Sequence, residues 1–155
     1  KFDVEDLAVS GNTAYALWSH GVIYQINNWK TKPSIQQWET GLTKKNNTEG
    51  LCLDPVSHNL LIACKNKAGE DDLKKSTRAI YLFDITHQKI NETPFLLIAK
   101  KDFDKKGYSV PDFFPSAIAV HPQTHDVYVL STKETKAMAV YSYSGELKSL
   151  QFLHD

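Results

Sequence analysis

Short apolar runs of about five residues alternate with polar turns along almost the whole chain, the pattern of half-buried strands. The alternation also has a longer period. One unit is Glu5-Asp6-Leu7-Ala8-Val9, a turn at Ser10-Gly11-Asn12, then Ala14-Tyr15-Ala16-Leu17-Trp18. It recurs as Glu49-Gly50-Leu51-Cys52-Leu53, a turn over 54–59, then Leu60-Leu61-Ile62-Ala63-Cys64. It recurs again as Ser116-Ala117-Ile118-Ala119-Val120, a turn over 121–126, then Val127-Tyr128-Val129-Leu130-Ser131. Asp54-Pro55 and His121-Pro122 open two of the turns, because proline sets φ for the corner. A third strand follows each pair, at 22–26, 79–83 and 137–141, and then a more polar fourth, at 34–38, 94–99 and 146–152. Helical spacing is poor, and the one short helix expected is at Glu70–Lys75.

Four antiparallel strands repeated at about 40 to 50 residues is the mark of a β-propeller blade. Glu5 to Glu49 spans 44 residues, and Glu49 to Ser116 spans 67 because this repeat carries insertions at 66–77 and 100–114. The predicted fold is all-β, about three to three and a half blades of a β-propeller: a blade over 1–42, a blade over 43–100, an insertion over 101–114 and a blade over 115–155. A β-sandwich also uses short strands and turns, but does not normally repeat one strand-turn-strand unit three times. Three blades do not close a ring, and open flanks are an edge liability. The remaining blades are expected from the same polypeptide or from a completing partner chain. The chain begins at Lys1 with no initiator Met or signal peptide, which reads as a processed or partial product.

Charge narrows the partners. Across 155 residues, 18 Lys+Arg balance 18 Asp+Glu, which argues against a surface built to grip nucleic acid or anionic lipid. No apolar run is long enough for a transmembrane helix. Cys52 and Cys64 are expected opposite Leu60 or Leu61 and opposite Thr48 or Glu49, too far apart for a disulfide, as two small buried hydrophobes.

Glu49-Gly50-Leu51 with Asp54-Pro55 and Leu60-Leu61-Ile62-Ala63 resembles the blade start of the SdiA-regulated (YjiK-like) propeller family. The segment from Pro115 to Pro122, followed by Asp126 to Ser131, resembles the next blade start, and also the NHL-type repeat. Asp6 departs from the pattern, standing where glycine is usual. The resemblance implies a six-bladed propeller exported to the periplasm, or held as a lipoprotein at the outer membrane, with no settled enzymatic activity. By analogy with six-bladed hydrolases it implies a calcium ion in or near the central channel.

The loops joining second to third strands, and blade to blade, open on one end of a propeller and hold both insertions. That end is expected to bind, since long loops on a rigid scaffold carry function. Glu5 and Glu49 stand at equivalent positions near the channel mouth there and are the candidate metal ligands, since hard cations take several oxygens. Both also suit a second role, accepting hydrogen bonds that hold blades together. Asp6, His20, Asn66 and Ser116 are the further candidates for this ligand-binding face, with Ser116 replacing the carboxylate in the third repeat. His58, His121 and His125 fall in the short turns at the opposite end and are expected to cap corners. Trp18 is expected in the core and Trp29 and Trp38 on the flank of the first blade, while Phe103, Tyr108, Phe113 and Phe114 are expected to pin the second insertion. The sequons at Asn46 and Asn91 are read as chance. No nucleophile elbow, phosphate loop or His-Glu-x-x-His motif occurs. The sequence supports an extracytoplasmic binding or scaffold module over a metal-dependent hydrolase or lactonase.

Overall fold

The apolar runs are strands, and they assemble into three antiparallel meanders. A computed structural model describes residues 3–68 and 77–153. The first sheet is β1 (Val4–Ser10), β2 (Thr13–Trp18), β3 (Val22–Asn27) and β4 (Ser34–Glu39), in that order. The second is β5 (Thr48–Leu53), β6 (Leu60–Lys67) and β7 (Thr77–Asp84), whose outer edge is shared by β8 (Lys89–Ile90) and β9 (Leu96–Ala99). A helix, α1 (Lys100–Lys105), leads to the third sheet: β10 (Phe113–Val120), β11 (Val127–Glu134), β12 (Ala137–Tyr141) and β13 (Leu147–Phe152). The first strands are innermost, with β5 packed between β1 and β10. This is the order of three consecutive propeller blades, and they do not close into a barrel.

The second sheet is packed on both faces. In the first sheet, the Leu17/Ile23/Trp38 side packs on Leu60, Ile62 and Phe83 of the second. The Trp38 ring lies 5.6 Å from Phe83 and 6.0 Å from Tyr15. Trp38 is thus inter-blade core, not flank cover, whereas Trp29 is exposed and Trp18 only half-buried. A buried ring of this kind removes 150–250 Å² from water, about 4–6 kcal/mol of gross transfer free energy. The opposite side of the second sheet, with Leu61, Ala63, Ile80 and Ile98, packs on Val129, Ala139 and Tyr141 of the third.

The register matches the pattern. Cys52 pairs with Leu61 and Cys64 with Thr48, and both thiols are free. Burial pushes each thiol up to about 12, so neither is a nucleophile at neutral pH.

Three further expectations change. The helix expected at Glu70–Lys75 lies outside the described residues, and the helix that forms is α1, within the second insertion. Its Lys100–Asp104 pair at 3.0 Å spans one turn, and Phe103 is buried against Phe113, ring centres 5.3 Å apart. The insertion also ends earlier than expected, because Phe113 to Pro115 belong to β10. Finally, the expected strand at 94–99 is β9 alone, with β8 as a separate short partner of β7.

Candidate functional site

The innermost strand of every sheet carries a bulge at the same place. Between Val4 and Asp6 the partner strand advances by one residue while β1 advances by two, so Glu5 is the extra residue. The same happens at Glu49 in β5 and at Ser116 in β10. A bulge re-aims its side chain and bends the strand. The candidate residues are therefore set by a repeated backbone feature, at the end of the sheets where β2 turns into β3.

Glu5 and Glu49, from neighbouring blades, come within electrostatic range. Partial burial raises the Glu5 carboxyl above its ordinary value; Glu49 and Asp3 push it the same way and Lys65 opposes them. No hydrogen bond reaches the Glu5 carboxylate among the described residues. Glu49 is better served: its Oε1 accepts from Lys65 Nζ at 3.0 Å and from Asn47 Nδ2 at 2.9 Å. Lys65, at the outgoing end of β6, is the member of this cluster that sequence reasoning missed. The signal was a lysine directly after Cys64, which pairs with the residue before Glu49.

The other candidates do different work. Asp6 is a staple: its carboxylate accepts from Leu7 N–H and, across the blade boundary, from Leu51 N–H, both at 2.7 Å. This explains the departure from glycine. In the second blade the equivalent Gly50 has no room for a side chain, because a Cβ would stand 3.0 Å from Ala117 Cα. Ser116 turns its hydroxyl to the Leu130 carbonyl at 3.1 Å, so the third bulge closes on itself. Asn66 is exposed and donates to the Lys45 carbonyl at 3.0 Å, tying β6 to the 43–47 loop. His20 is exposed at the β2–β3 turn and stacks on Trp18 at 4.9 Å. That turn is held by Gly21, at φ +82°, whose missing side chain admits the Leu42 carbonyl. The structure thus brings Glu5 and Glu49 together with Lys65 and Asp3, and gives Asp6, Ser116 and Asn66 structural bonds.

Calcium asks for six to eight oxygen ligands. Among the described residues no three His, Cys, Asp or Glu side chains gather at metal-holding spacing. An ammonium already neutralises Glu49. These residues do not form a calcium shell by themselves.

The opposite end is structural. Asp54, fully buried, caps its turn by accepting from the N–H groups of Val56 and Ser57 and from the Ser57 hydroxyl. His121 does the same in the third blade, its Nδ1 accepting from Gln123 and Thr124 N–H. The later histidines of these turns, His58 and His125, adopt φ +58° and +59°.

A second ionic cluster was not foreseen. Arg78 lies in β7 among apolar neighbours, its side chain 5% exposed, and makes bonds of 2.9 and 3.0 Å to the two oxygens of Asp112, itself 44% exposed. The guanidinium also sits 4.8 Å from the Phe114 ring centre. An arginine inside the run 77–83 was the signal for it.

No family profile matches the sequence, and no curated protein matches it. Solved structures match the fold. The extracellular domain of the putative one component system BT4673 from B. thetaiotaomicron superposes with TM-score 0.57 at 14% identity, over 98% of this chain and 17% of that one. A chain of the Mitotic Checkpoint Complex gives 0.52 at 9%, over 98% and 54%. Apo AztD from Citrobacter koseri gives 0.52 at 17%, over 99% and 35%. The chain therefore spans about half of these neighbours or less, and identities this low show the fold alone. No helix among the described residues is long and apolar enough to cross a membrane.

Proposed function

We propose that this chain is a non-catalytic binding or scaffold arc of an exported β-propeller, engaging its ligand at the end of the blades where Glu5, Glu49 and Lys65 meet. The repeated bulge carries this reading. It costs backbone pairing in every blade, and in two of them the extra residue carries a carboxylate, the two carboxylates interacting electrostatically. With Asp3, three carboxylates face one ammonium there, so the site favours a positively charged group. The exported address is supported by the resemblance of the blade starts to the SdiA-regulated family and by the likeness to an extracellular domain.

Thermal unfolding of the chain in calcium, in an alkyl diamine and in EDTA tests it. A ligand at about 100 times its dissociation constant adds about 2.7 kcal/mol, several degrees for a domain of this size. The reading expects a rise with a cationic ligand that Glu5→Gln or Glu49→Gln removes; no rise with either cation contradicts it. The calcium-dependent form and the metal-dependent hydrolase both need oxygen donors beyond the Glu5, Glu49 and Asp3 carboxylates. A rise specific to calcium, lost in EDTA, would bring them back.

A further inference from the structure

The end of the blades that carries Glu5 and Glu49 also carries a second cluster, at the boundary of the second and third blades, and its charge has the opposite sign. The pairs Thr48↔Cys64 and Pro115↔Ser131 make Phe114 the equivalent of Asn47, and Lys133 the equivalent of Asn66. In the second blade these two positions hold amides, one bonded to Glu49 and the other to the Lys45 carbonyl. In the third they hold an aromatic ring and a cation. The bulged residue changes with them, from the carboxylate of Glu49 to the hydroxyl of Ser116. The same repeat positions thus line an acidic site in one blade and a basic, aromatic one in the next.

Arg78, the second residue of β7, is the centre of this cluster, and its hydrogen bonding is incomplete. One nitrogen, Nη2, donates to both oxygens of Asp112, at 2.9 and 3.0 Å. Nη1 reaches only the Thr77 carbonyl, at 3.4 Å. Nε is buried and meets no acceptor. A guanidinium is a rigid fork suited to taking an oxyanion on two nitrogens, and a buried donor left unbonded is costly. Arg78 also lines a cavity of about 10 Å³, room for one water-sized oxygen, together with Lys100, Asp112, Phe103 and Phe113. Lys133 adds a second cation. Its ammonium lies 4.8 Å from the centre of the Phe114 ring that Arg78 also faces, and it pairs with no carboxylate among the described residues. The Lys100 ammonium, by contrast, is taken up by Asp104 and the Val110 carbonyl. Two cations therefore stand against the one carboxylate of Asp112, which is 44% exposed and so partly screened by water.

We propose that Arg78, Phe114 and Lys133 form an oxyanion subsite, which takes a carboxylate or phosphate group. One oxygen of the anion accepts from the Arg78 Nε–H, a charge-assisted bond, and Lys133 neutralises the rest of its charge. Asp112 is a positioning residue: it holds Nη2, and with the Phe114 ring it fixes the plane of the guanidinium. The subsite rests on its own residues and stands whether or not the acidic site binds a cation.

The test follows the Arg78 Nε–H resonance by nuclear magnetic resonance while the chain is titrated at low salt with inorganic phosphate and, separately, with glutarate. Sodium chloride at matched ionic strength is the control. The proposal expects a saturable shift of that resonance with at least one of the two anions and none with chloride. Saturation by phosphate alone assigns the subsite to phosphorylated ligands, and saturation by glutarate assigns it to carboxylates. Lys133→Gln, at an exposed position that does not threaten the fold, should weaken the binding about threefold, as expected for one exposed charge. No saturable shift with either anion overturns the proposal. So does a shift that chloride reproduces, or an affinity indifferent to Lys133→Gln.

Discussion

The hydroxyl of Tyr143 donates to Oδ2 of Asp54 at 2.7 Å, joining the β12–β13 turn of the third blade to the β5–β6 turn of the second across 89 residues. Asp54 is fully buried and already caps its own turn, so this bond ties a local corner to the neighbouring blade. Its carboxylate pushes the tyrosine up to about 12, after the larger effect of burial. Tyr143→Phe leaves a buried carboxylate short of one donor and should cost about 1.5–3 kcal/mol in urea unfolding, the range for hydrogen bonds to charged groups. Phe95 packs edge-on to the same ring and keeps the apolar part of the contact in the variant.

Asp54 also makes stability acid-sensitive. Burial alone would raise its carboxyl, but bonds from Ser57, Tyr143 and the Val56 N–H outweigh it and hold it below the ordinary value. The carboxylate therefore binds its proton less tightly folded than unfolded, where about 3.9 is usual. Its contribution is complete above that value and is lost as pH falls through the lower folded one. Asp54→Asn should flatten the fall of unfolding temperature below about pH 4 relative to the parent chain.

Glu5 has the opposite sign. Its carboxyl is raised, so its charged form is disfavoured in the fold. The favourable contribution is full below the unfolded value of about 4.3 and is lost as pH rises through the folded one. Glu5→Gln should raise the unfolding temperature at pH 7 and leave it nearly unchanged at about pH 3.5.

Gly50→Ala should separate the second and third blades. The added Cβ meets Ala117 Cα at 3.0 Å and Ile118 N at 3.1 Å, both backbone atoms that cannot swing aside. A cost of about 1–3 kcal/mol is expected, as for overpacking in a core.

The Arg78–Asp112 pair should be asymmetric. Removing Asp112 strands a buried guanidinium, already near Lys133 across the Phe114 ring, whereas removing Arg78 leaves a carboxylate nearly half in water. Asp112→Ala should cost about 2 kcal/mol or more, and Arg78→Met about 1 kcal/mol less, because breaking a buried pair is worse than replacing its buried member with an apolar side chain. Urea unfolding of the two variants measures the difference.

The fold was legible because period-two alternation and a repeat of strand-turn-strand units are written directly in residue order. Register followed to within one residue from the turn lengths, which placed Cys52 opposite Leu60 or Leu61, and it pairs with Leu61. The bulges were not legible, since one extra residue in a strand leaves the composition untouched. It shows only when the partner strand is counted alongside. The α1 helix was hidden for a related reason: six residues hold fewer than two turns, too little for a period, and Phe103 alone anchors them. At the candidate site, Glu5 and Glu49 were visible as equivalent residues. The roles of Asp6 and Asn66 depend on which backbone group lies opposite, and that is fixed by packing between blades.

The claim at the centre of this account is that bulged residues of adjacent blades share one electrostatic site. Following the Glu5 side-chain carboxyl by nuclear magnetic resonance through a pH titration tests it most directly. Its titration should move to lower pH in Glu49→Gln, where a neighbouring negative charge is gone, and to higher pH in Lys65→Met, where the opposing cation is gone. A Glu5 titration that ignores both substitutions would show that the two blades do not meet at this point, and would contradict the site.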